Sequence, residues 1–466
     1  MRTVIIRSPD CKEAGAQRSI ARPRREAERH SARRRVSFVL STMLRSLVVA
    51  LALAGSAGAQ QRSGDLPPEP GALERELSLP SLSKAGVAAT GSGPRLSNPI
   101  EIPFSLESGH IVIEASIDGG PLKPFLFDTG ARTVITPEIA QPLRAVPVRT
   151  ARVGGIGPKI SQIELIKVGR ITIGAASLEH PTVAVLNLAN TIVDRGSRPR
   201  LAGLIGAELL ARYAVTIDYT SRTLTLNSPG FRPQTAAFSL PLGFSMSIDG
   251  LSHPSITAEL DGIAGDFVID TGSSGQILVS EKFQREHAPF ATYGKVLRFL
   301  AAGGIGGRTE VQLGLGKLLR IGPLSFSSPA VVGEINKGAA GRSMPWAGLI
   351  GAVVLAQFTV TIDYQSGRAY FEPVPGRKFP GGVRGTGMIF DKPDHEAFEV
   401  LDTLKGSAAE RAGLHRGDRI VEVAGRPARD LSVSDVQSLG TPAQTSLTVR
   451  TSDHRLLTLA IGQILP

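Results

Sequence analysis

Cysteine occurs once in 466 residues, at Cys11, and tryptophan once, at Trp346. One thiol near the N-terminus excludes a disulfide framework and any Cys-ligated metal in the body of the chain. No stretch after the leader approaches 18 unbroken apolar residues, so no helical membrane span is expected once the leader is removed. The signatures His-Glu-x-x-His and Gly-x-Ser-x-Gly are both missing, so zinc and Ser-triad hydrolases lack their signatures here. Aromatics make up only 5% of the chain, whereas 52 Gly and 32 Pro favour a turn-rich β protein over a helical bundle. The formal charge is +11, yet residues 1–59 alone hold twelve Lys/Arg against four Asp/Glu. The remainder is nearly balanced and carries no clustered basic face, so no nucleic-acid partner is expected.

Those first 59 residues read as a leader. Arg45 precedes an apolar run from Leu47 to Ala54, and small residues follow, ending Ala57-Gly58-Ala59. A charged start, a short apolar core and an A-x-A-like end make an export signal, which implies a periplasmic or secreted protein. Met43 is an alternative start, and Arg34-Arg35 a weak twin-arginine element. Residues 60–98, rich in Pro, Gly, Ser and charge, read as a flexible linker.

What the sequence does contain is an internal repeat. His110 opens an alternating run to Asp118-Gly119, followed by Phe125-Leu126-Phe127-Asp128-Thr129-Gly130. His253 opens a second run to Asp261-Gly262, followed by Phe267-Val268-Ile269-Asp270-Thr271-Gly272. Gly154-Gly155-Ile156-Gly157 is matched by Gly303-Gly304-Ile305-Gly306, and Gly203-Leu-Ile-Gly206 by Gly348-Leu-Ile-Gly351. Val215-Thr-Ile-Asp218-Tyr219 is matched by Val360-Thr-Ile-Asp363-Tyr364, 15 residues after the Gly-Leu-Ile-Gly glycine in both copies. Five blocks in one order mean duplication. The expected domains are lobe 1 over 99–235 and lobe 2 over 236–373, each of six or so strands. A linker over 374–384 and a separate unit over 385–464 follow.

Two facing carboxylates can activate a water and polarise a carbonyl at once if they share one proton. At about 4 Å and an effective dielectric near 20, their repulsion is roughly 4 kcal/mol, about three pK units between successive ionisations. One lobe supplies only one such carboxylate, so pairing two lobes explains the duplication. A Thr hydroxyl beside each Asp can hydrogen-bond across the axis, and the next Gly lets its amide approach the carboxylate.

On these residues the chain, over about 99–373, resembles the retropepsin-like aspartic peptidases, as a single-chain version of their homodimer. The resemblance implies a mostly β, bilobal aspartic endopeptidase with Asp128 and Asp270 catalytic and no metal or other cofactor. It makes Thr129, Gly130, Thr271 and Gly272 the active-site loop supports. It makes Ser273 a hydroxyl that bonds the outer oxygen of Asp270, a role Ala131 lacks. The two Gly-Gly-Ile-Gly segments become flaps over a polypeptide substrate, without the flap Tyr of pepsin.

The C-terminal unit reads Gly406-Ser-Ala-Ala-Glu-Arg-Ala-Gly413-Leu414, then Gly417-Asp418-Arg-Ile420 and Val423-Ala-Gly425-Arg426. It resembles a PDZ domain of the bacterial peptidase-associated type. By that resemblance Gly385, Thr386, Gly387 and Met388 hold a peptide C-terminal carboxylate, and the following strand takes the peptide as an added strand. A competing reading is a non-catalytic, peptide-binding scaffold of the cell envelope.

Other residues invite blander readings. Asp118 and Asp261 are turn residues, and Asp218 and Asp363 turn or pairing residues. His110 and His253 are equivalent strand-edge positions inherited from the duplication rather than metal ligands. Trp346 is packing.

Overall fold

The computed structural model describes residues 52–54, 93–154, 160–188, 200–246, 252–301, 307–335, 345–439 and 444–465, all within the unit Val39–Pro466. Alternation in the sequence becomes strand at once. In His110–Ile117, the residues Ile111, Ile113, Ala115 and Ile117 are buried as one row, as a two-residue period requires. Val112 belongs to a second apolar cluster on the other face, so the strand is covered on both sides.

The two lobes repeat one topology. In lobe 1, Lys123–Phe127 runs parallel to Gly203–Ile205, which is antiparallel to Val134–Ile135, itself parallel to Thr182–Val185. In lobe 2, Ile263–Ile269 runs parallel to Gly348–Ile350, which is antiparallel to Ile277–Val279, itself parallel to Ala330–Glu334. Each lobe sheet is larger than the six strands expected, with eleven in lobe 1 and ten in lobe 2. These counts are of the described residues, and the hairpin strands Pro147–Gly154 and Ile160–Lys167 and the short strand Ala52–Ala54 are among them. The last of these, inside the expected leader, pairs with Arg152–Gly154.

A third sheet joins the lobes. Its order is Phe238–Pro241, Arg368–Pro373, Phe358–Asp363, Ala214–Asp218, Thr223–Asn227 and Ile100–Pro103. The lobes meet at its centre, where Thr216 lies opposite Thr361 with their hydroxyl oxygens 2.8 Å apart. Beneath it one apolar cluster includes Phe125 and Phe127 of lobe 1 and Phe267, Phe358 and Phe371 of lobe 2. Asp218 caps the turn that follows it by accepting from the Thr220 and Ser221 amides, and Asp363 does the same for Gln365 and Ser366.

The C-terminal unit is a six-stranded sheet with two short helices, Ala408–Arg411 and Val433–Ser438, and a two-stranded ribbon, Val383–Gly385 with Gly462–Leu465. It is not held off by its linker. Phe379 packs on Phe326 at 5.0 Å, and the Pro380 carbonyl accepts from Gln276 Nε2. Ile389, Leu401, Leu404 and Leu465 share an apolar cluster with Leu297, Phe299 and Ala301 of the lobe 2 hairpin. Arg308, on that hairpin, donates to Glu399 at 2.6 Å and to Asp391 at 3.4 Å, and the Leu300 amide donates to Asp402. From lobe 1 the Ser108 amide donates to Ser434 Oγ.

Candidate active site

Each Asp-Thr-Gly follows a buried strand whose direction is fixed by a parallel partner. Asp128 leaves Lys123–Phe127 and its amide donates to the Ile205 carbonyl, while the Asp270 amide donates to Ile350. The matched Gly-Leu-Ile strands therefore set where each aspartate sits. Both carboxylates are buried, at 1% and 0% exposure.

Four hydrogen bonds tie one loop to the other. The Thr129 amide donates to Thr271 Oγ1 and the Thr271 amide to Thr129 Oγ1, both at 3.0 Å. Thr129 Oγ1 in turn donates to the Ile269 carbonyl at 2.6 Å, and Thr271 Oγ1 to the Phe127 carbonyl at 2.9 Å. Each hydroxyl thus satisfies a buried amide and a buried carbonyl of the opposite lobe. Leaving either unpaired costs about 1–3 kcal/mol.

The glycines do more than admit their own amides. The Gly130 amide does donate to Asp128 Oδ1, at 2.9 Å. A Cβ on Gly130, however, would lie 2.7 Å from Asp270 Cγ, and one on Gly272 would overlap the Asp128 carboxylate. Only glycine at both positions lets the two loops close on each other's aspartate.

Burial pushes Asp128 up to about 7, against the pull of the Gly130 amide, of Asp270 and of the Gly272 amide. Asp270 is pushed well above the ordinary carboxylate range, first by burial and then by the charge of Asp128. Neither Asp270 carboxylate oxygen accepts a well-aligned hydrogen bond, although the Gly272 and Ser273 amides oppose the rise. Of the two carboxyls only Asp270 is raised further by its partner's charge, which makes it the member better suited to hold a shared proton.

Ser273 departs from its expected role. Its amide donates to the Asp270 main-chain carbonyl, and its hydroxyl is not on the carboxylate. Its side chain lies instead toward the Gly-Leu-Ile-Gly block, where a Cβ on Gly351 would meet Ser273 Oγ at 2.8 Å.

Of the expected flap residues, Gly154 ends the strand Pro147–Gly154, and Gly155, Ile156, Gly157, Gly303, Gly304, Ile305 and Gly306 lie outside the described residues. The hairpins that flank these segments are present in both lobes: Pro147–Gly154 with Ile160–Lys167, and Leu297–Ala301 with Thr309–Leu315. In the C-terminal unit Gly385 ends the ribbon strand, and the Gly387 carbonyl accepts the Leu404 amide with Gly387 at φ +80. Met388 begins Met388–Asp391, an end strand of its sheet whose outer edge pairs with no described strand. The segment Gly462–Leu465 is tied to Val383–Gly385 and does not occupy that edge.

Two features were not foreseen. His110 and His253 are buried, and continuing each ladder sets His110 opposite Asp128 and His253 opposite Asp270. Glu208 accepts from the Thr133 amide and hydroxyl, both at 2.7 Å, and faces Arg132 at 3.6 Å. The matched spacing of the histidines was the available signal for the first. Nothing local announces the second, since Arg132 and Glu208 are far apart in the chain. Among the described residues no group of three His, Cys, Asp or Glu could hold a metal, and no helix is long and apolar enough to cross a membrane.

An aspartyl protease family model matches residues 113–209, the part of lobe 1 that holds Asp128, and a PDZ domain model matches residues 399–451. The crystal structure of the aspartic proteinase from Irpex lacteus is 10% identical, with 60% of this chain and 98% of that chain covered at a TM-score of 0.35. No curated protein matches the sequence. On a mostly β framework, the chain carries an aspartyl protease domain followed by a PDZ domain.

Proposed function

We propose that the protein is an aspartic endopeptidase that cuts polypeptides with a water held by Asp128 and Asp270. The observation that carries the reading is the closure of the two loops. Two buried carboxylates, one per lobe, are packed so tightly that each loop's glycine makes room for the other loop's aspartate. A scaffold that only bound peptides would gain nothing from burying two like charges side by side, at a cost of several pK units.

The roles follow from which carboxyl is raised by its partner's charge, namely Asp270. Ionised Asp128 takes a proton from the water as its oxygen bonds to the scissile carbonyl carbon. Protonated Asp270 donates to the carbonyl oxygen, which takes up the displaced π pair and that proton. In the second half the tetrahedral carbon expels nitrogen, which leaves with the proton from Asp128, and one diol hydroxyl returns its proton to Asp270. Atoms and charge balance, and the dyad ends as it began. The chemistry needs no metal or other cofactor.

The PDZ domain adds a peptide-binding edge at Met388–Asp391, suited to a polypeptide C-terminus held over Gly385–Met388. The leader over 1–59 directs this activity to the periplasm or the exterior. The test is cleavage of a diverse peptide library by residues 60–466 across pH, beside Asp128→Asn and Asp270→Asn. Cuts lost in both folded variants support the dyad. Peptides retained but uncut by the wild type at every pH would overturn it in favour of a binding protein.

A further inference from the structure

An imidazole buried without hydrogen bonds costs free energy, and such a ring in a native core calls for a reason. His110 is fully buried at the head of His110–Ile117, and neither ring nitrogen makes a well-aligned hydrogen bond. Its place follows from the ladder. Ile111 lies opposite Phe127, so one further step sets His110 opposite Asp128. Residues opposite each other on antiparallel strands project to the same face. The ladder thus directs the ring and the carboxylate to the same face of lobe 1.

What lies against the ring comes from lobe 2. Burial pushes His110 down to about 4, and the Gly272 backbone opposes that, as a carbonyl facing the ring does. The amide of the same Gly272 favours the ionised form of Asp128. A Cβ on Gly272 would overlap the Asp128 carboxylate, so the approach is close. One residue of lobe 2 thus meets both the imidazole and the carboxylate on that face of lobe 1. The repeat partner His253 is set differently, with Trp346 edge-on at 6.1 Å. Lobe 1 has Leu201 at the position equivalent to Trp346.

We propose that His110 is a positioning residue of the dyad: its neutral imidazole holds the Gly272 carbonyl, and so keeps the Gly272 amide on the Asp128 carboxylate. Long or misaligned bonds of this kind in a free enzyme tighten when substrate is bound. The kinetic consequence rests on the peptidase reading, but the positional one does not.

The test follows aspartate side-chain carbons by NMR across pH in residues 60–466, with Asp128→Asn assigning the Asp128 signal. In His110→Phe the Asp128 midpoint should rise by about half a pH unit or more, because its charged form loses a donor. His110→Gln keeps a side-chain N–H and should return most of the shift, whereas His253→Phe should leave the midpoint in place. On a cleaved peptide, His110→Phe should lower kcat roughly tenfold at nearly constant KM, with recovery in His110→Gln. The titration needs no turnover, so a protein that cuts nothing still tests the inference while refuting the peptidase reading. An unmoved midpoint in folded His110→Phe overturns it. So does a Gln variant no better than Phe, or an equal shift in His253→Phe, which would report general loosening. Should thermal melting show that the Phe variant does not fold, His110→Met replaces it.

Discussion

The two aspartate loops share Asp-Thr-Gly and little else. After it lobe 1 reads Ala131-Arg132-Thr133, and lobe 2 reads Ser273-Ser274-Gly275. Two residues past the matched glycine, lobe 1 has Glu208 where lobe 2 has Val353. Lobe 1 thus braces its loop with charge, through Arg132, Glu208 and Thr133. Lobe 2 uses an uncharged brace, Gln276, which accepts from the Ala330 amide and donates to Pro380. Lobe 2 also carries the PDZ domain on its hairpin. The duplication kept the aspartates, the cross-lobe threonines, the close-packed glycines and the matched strands that seat them, and let the braces of each loop diverge. The two chemically identical carboxyls are nonetheless unequal: Asp128 accepts the Gly130 amide at 2.9 Å, and Asp270 is raised further by the charge of Asp128.

The largest expected effect separates the aspartates by stability rather than activity. A carboxyl raised in the folded state, as Asp128 is from an ordinary 3.8 to about 7, favours folding fully below pH 3.8. That contribution is lost as pH rises through 7. At about 1.4 kcal/mol per pK unit the loss amounts to about 4 kcal/mol well above pH 7. Asparagine cannot ionise, so both Asp→Asn variants should melt above the wild type at pH 8 and converge with it towards pH 4. Asp270→Asn should gain more, because Asp270 is raised both by burial and by the charge of Asp128. Calorimetry across pH checks this, and equal gains would mean the two carboxyls are equivalent in the folded state.

A smaller effect should follow from making lobe 1 resemble lobe 2. Glu208→Val removes the acceptor for both Thr133 donors and the counter-charge of buried Arg132. Breaking a buried pair from one side costs about 3–5 kcal/mol, and burial already pushes the Glu208 carboxyl up, which places the net loss near 3. Adding Arg132→Ser, the lobe 2 residue pairing, should recover part of it. A denaturation cycle over the four proteins measures the coupling, and strict additivity would show that the pair does not act as a unit.

These contrasts also mark what the sequence could reveal. Asp128, Asp270 and the threonines were legible because the motif is local and written twice, with strands of clear two-residue period on either side. Asp218 and Asp363 were legible as turn residues for the same reason. Glu208 was not, since a four-residue helix has no pattern of its own and its partner is 76 positions away. His110 looked like a strand edge because one-dimensional order does not tell which face the ladder buries. The docking of the PDZ domain was hidden for a related reason. Leu297, Phe299, Leu401 and Leu404 alternate as any core-facing strand residues do, and nothing in the pattern says that the core they face is shared between domains. The Pro/Gly composition of 374–384 suggested a spacer, whereas Phe379 and Pro380 anchor it to lobe 2.

The smallest effect expected concerns that docking. Arg308 is about a third exposed, with a side-chain exposure of 32%, so its pair with Glu399 is partly screened and worth about 1 kcal/mol or less. Most of the attachment rests on the apolar cluster beneath it. Arg308→Ala should therefore lower the melting temperature by no more than a few degrees while leaving the protein folded. Its informative consequence is local. Hydrogen exchange should quicken in Leu297–Ala301 and Phe398–Thr403, the strands that the ion pair and the Leu300–Asp402 bond hold together. The equivalent lobe 1 hairpin, Pro147–Gly154 with Ile160–Lys167, should not change. Faster exchange in both hairpins would mean that the PDZ domain braces the two lobes alike, and the asymmetry drawn between them would then end at the aspartate loops.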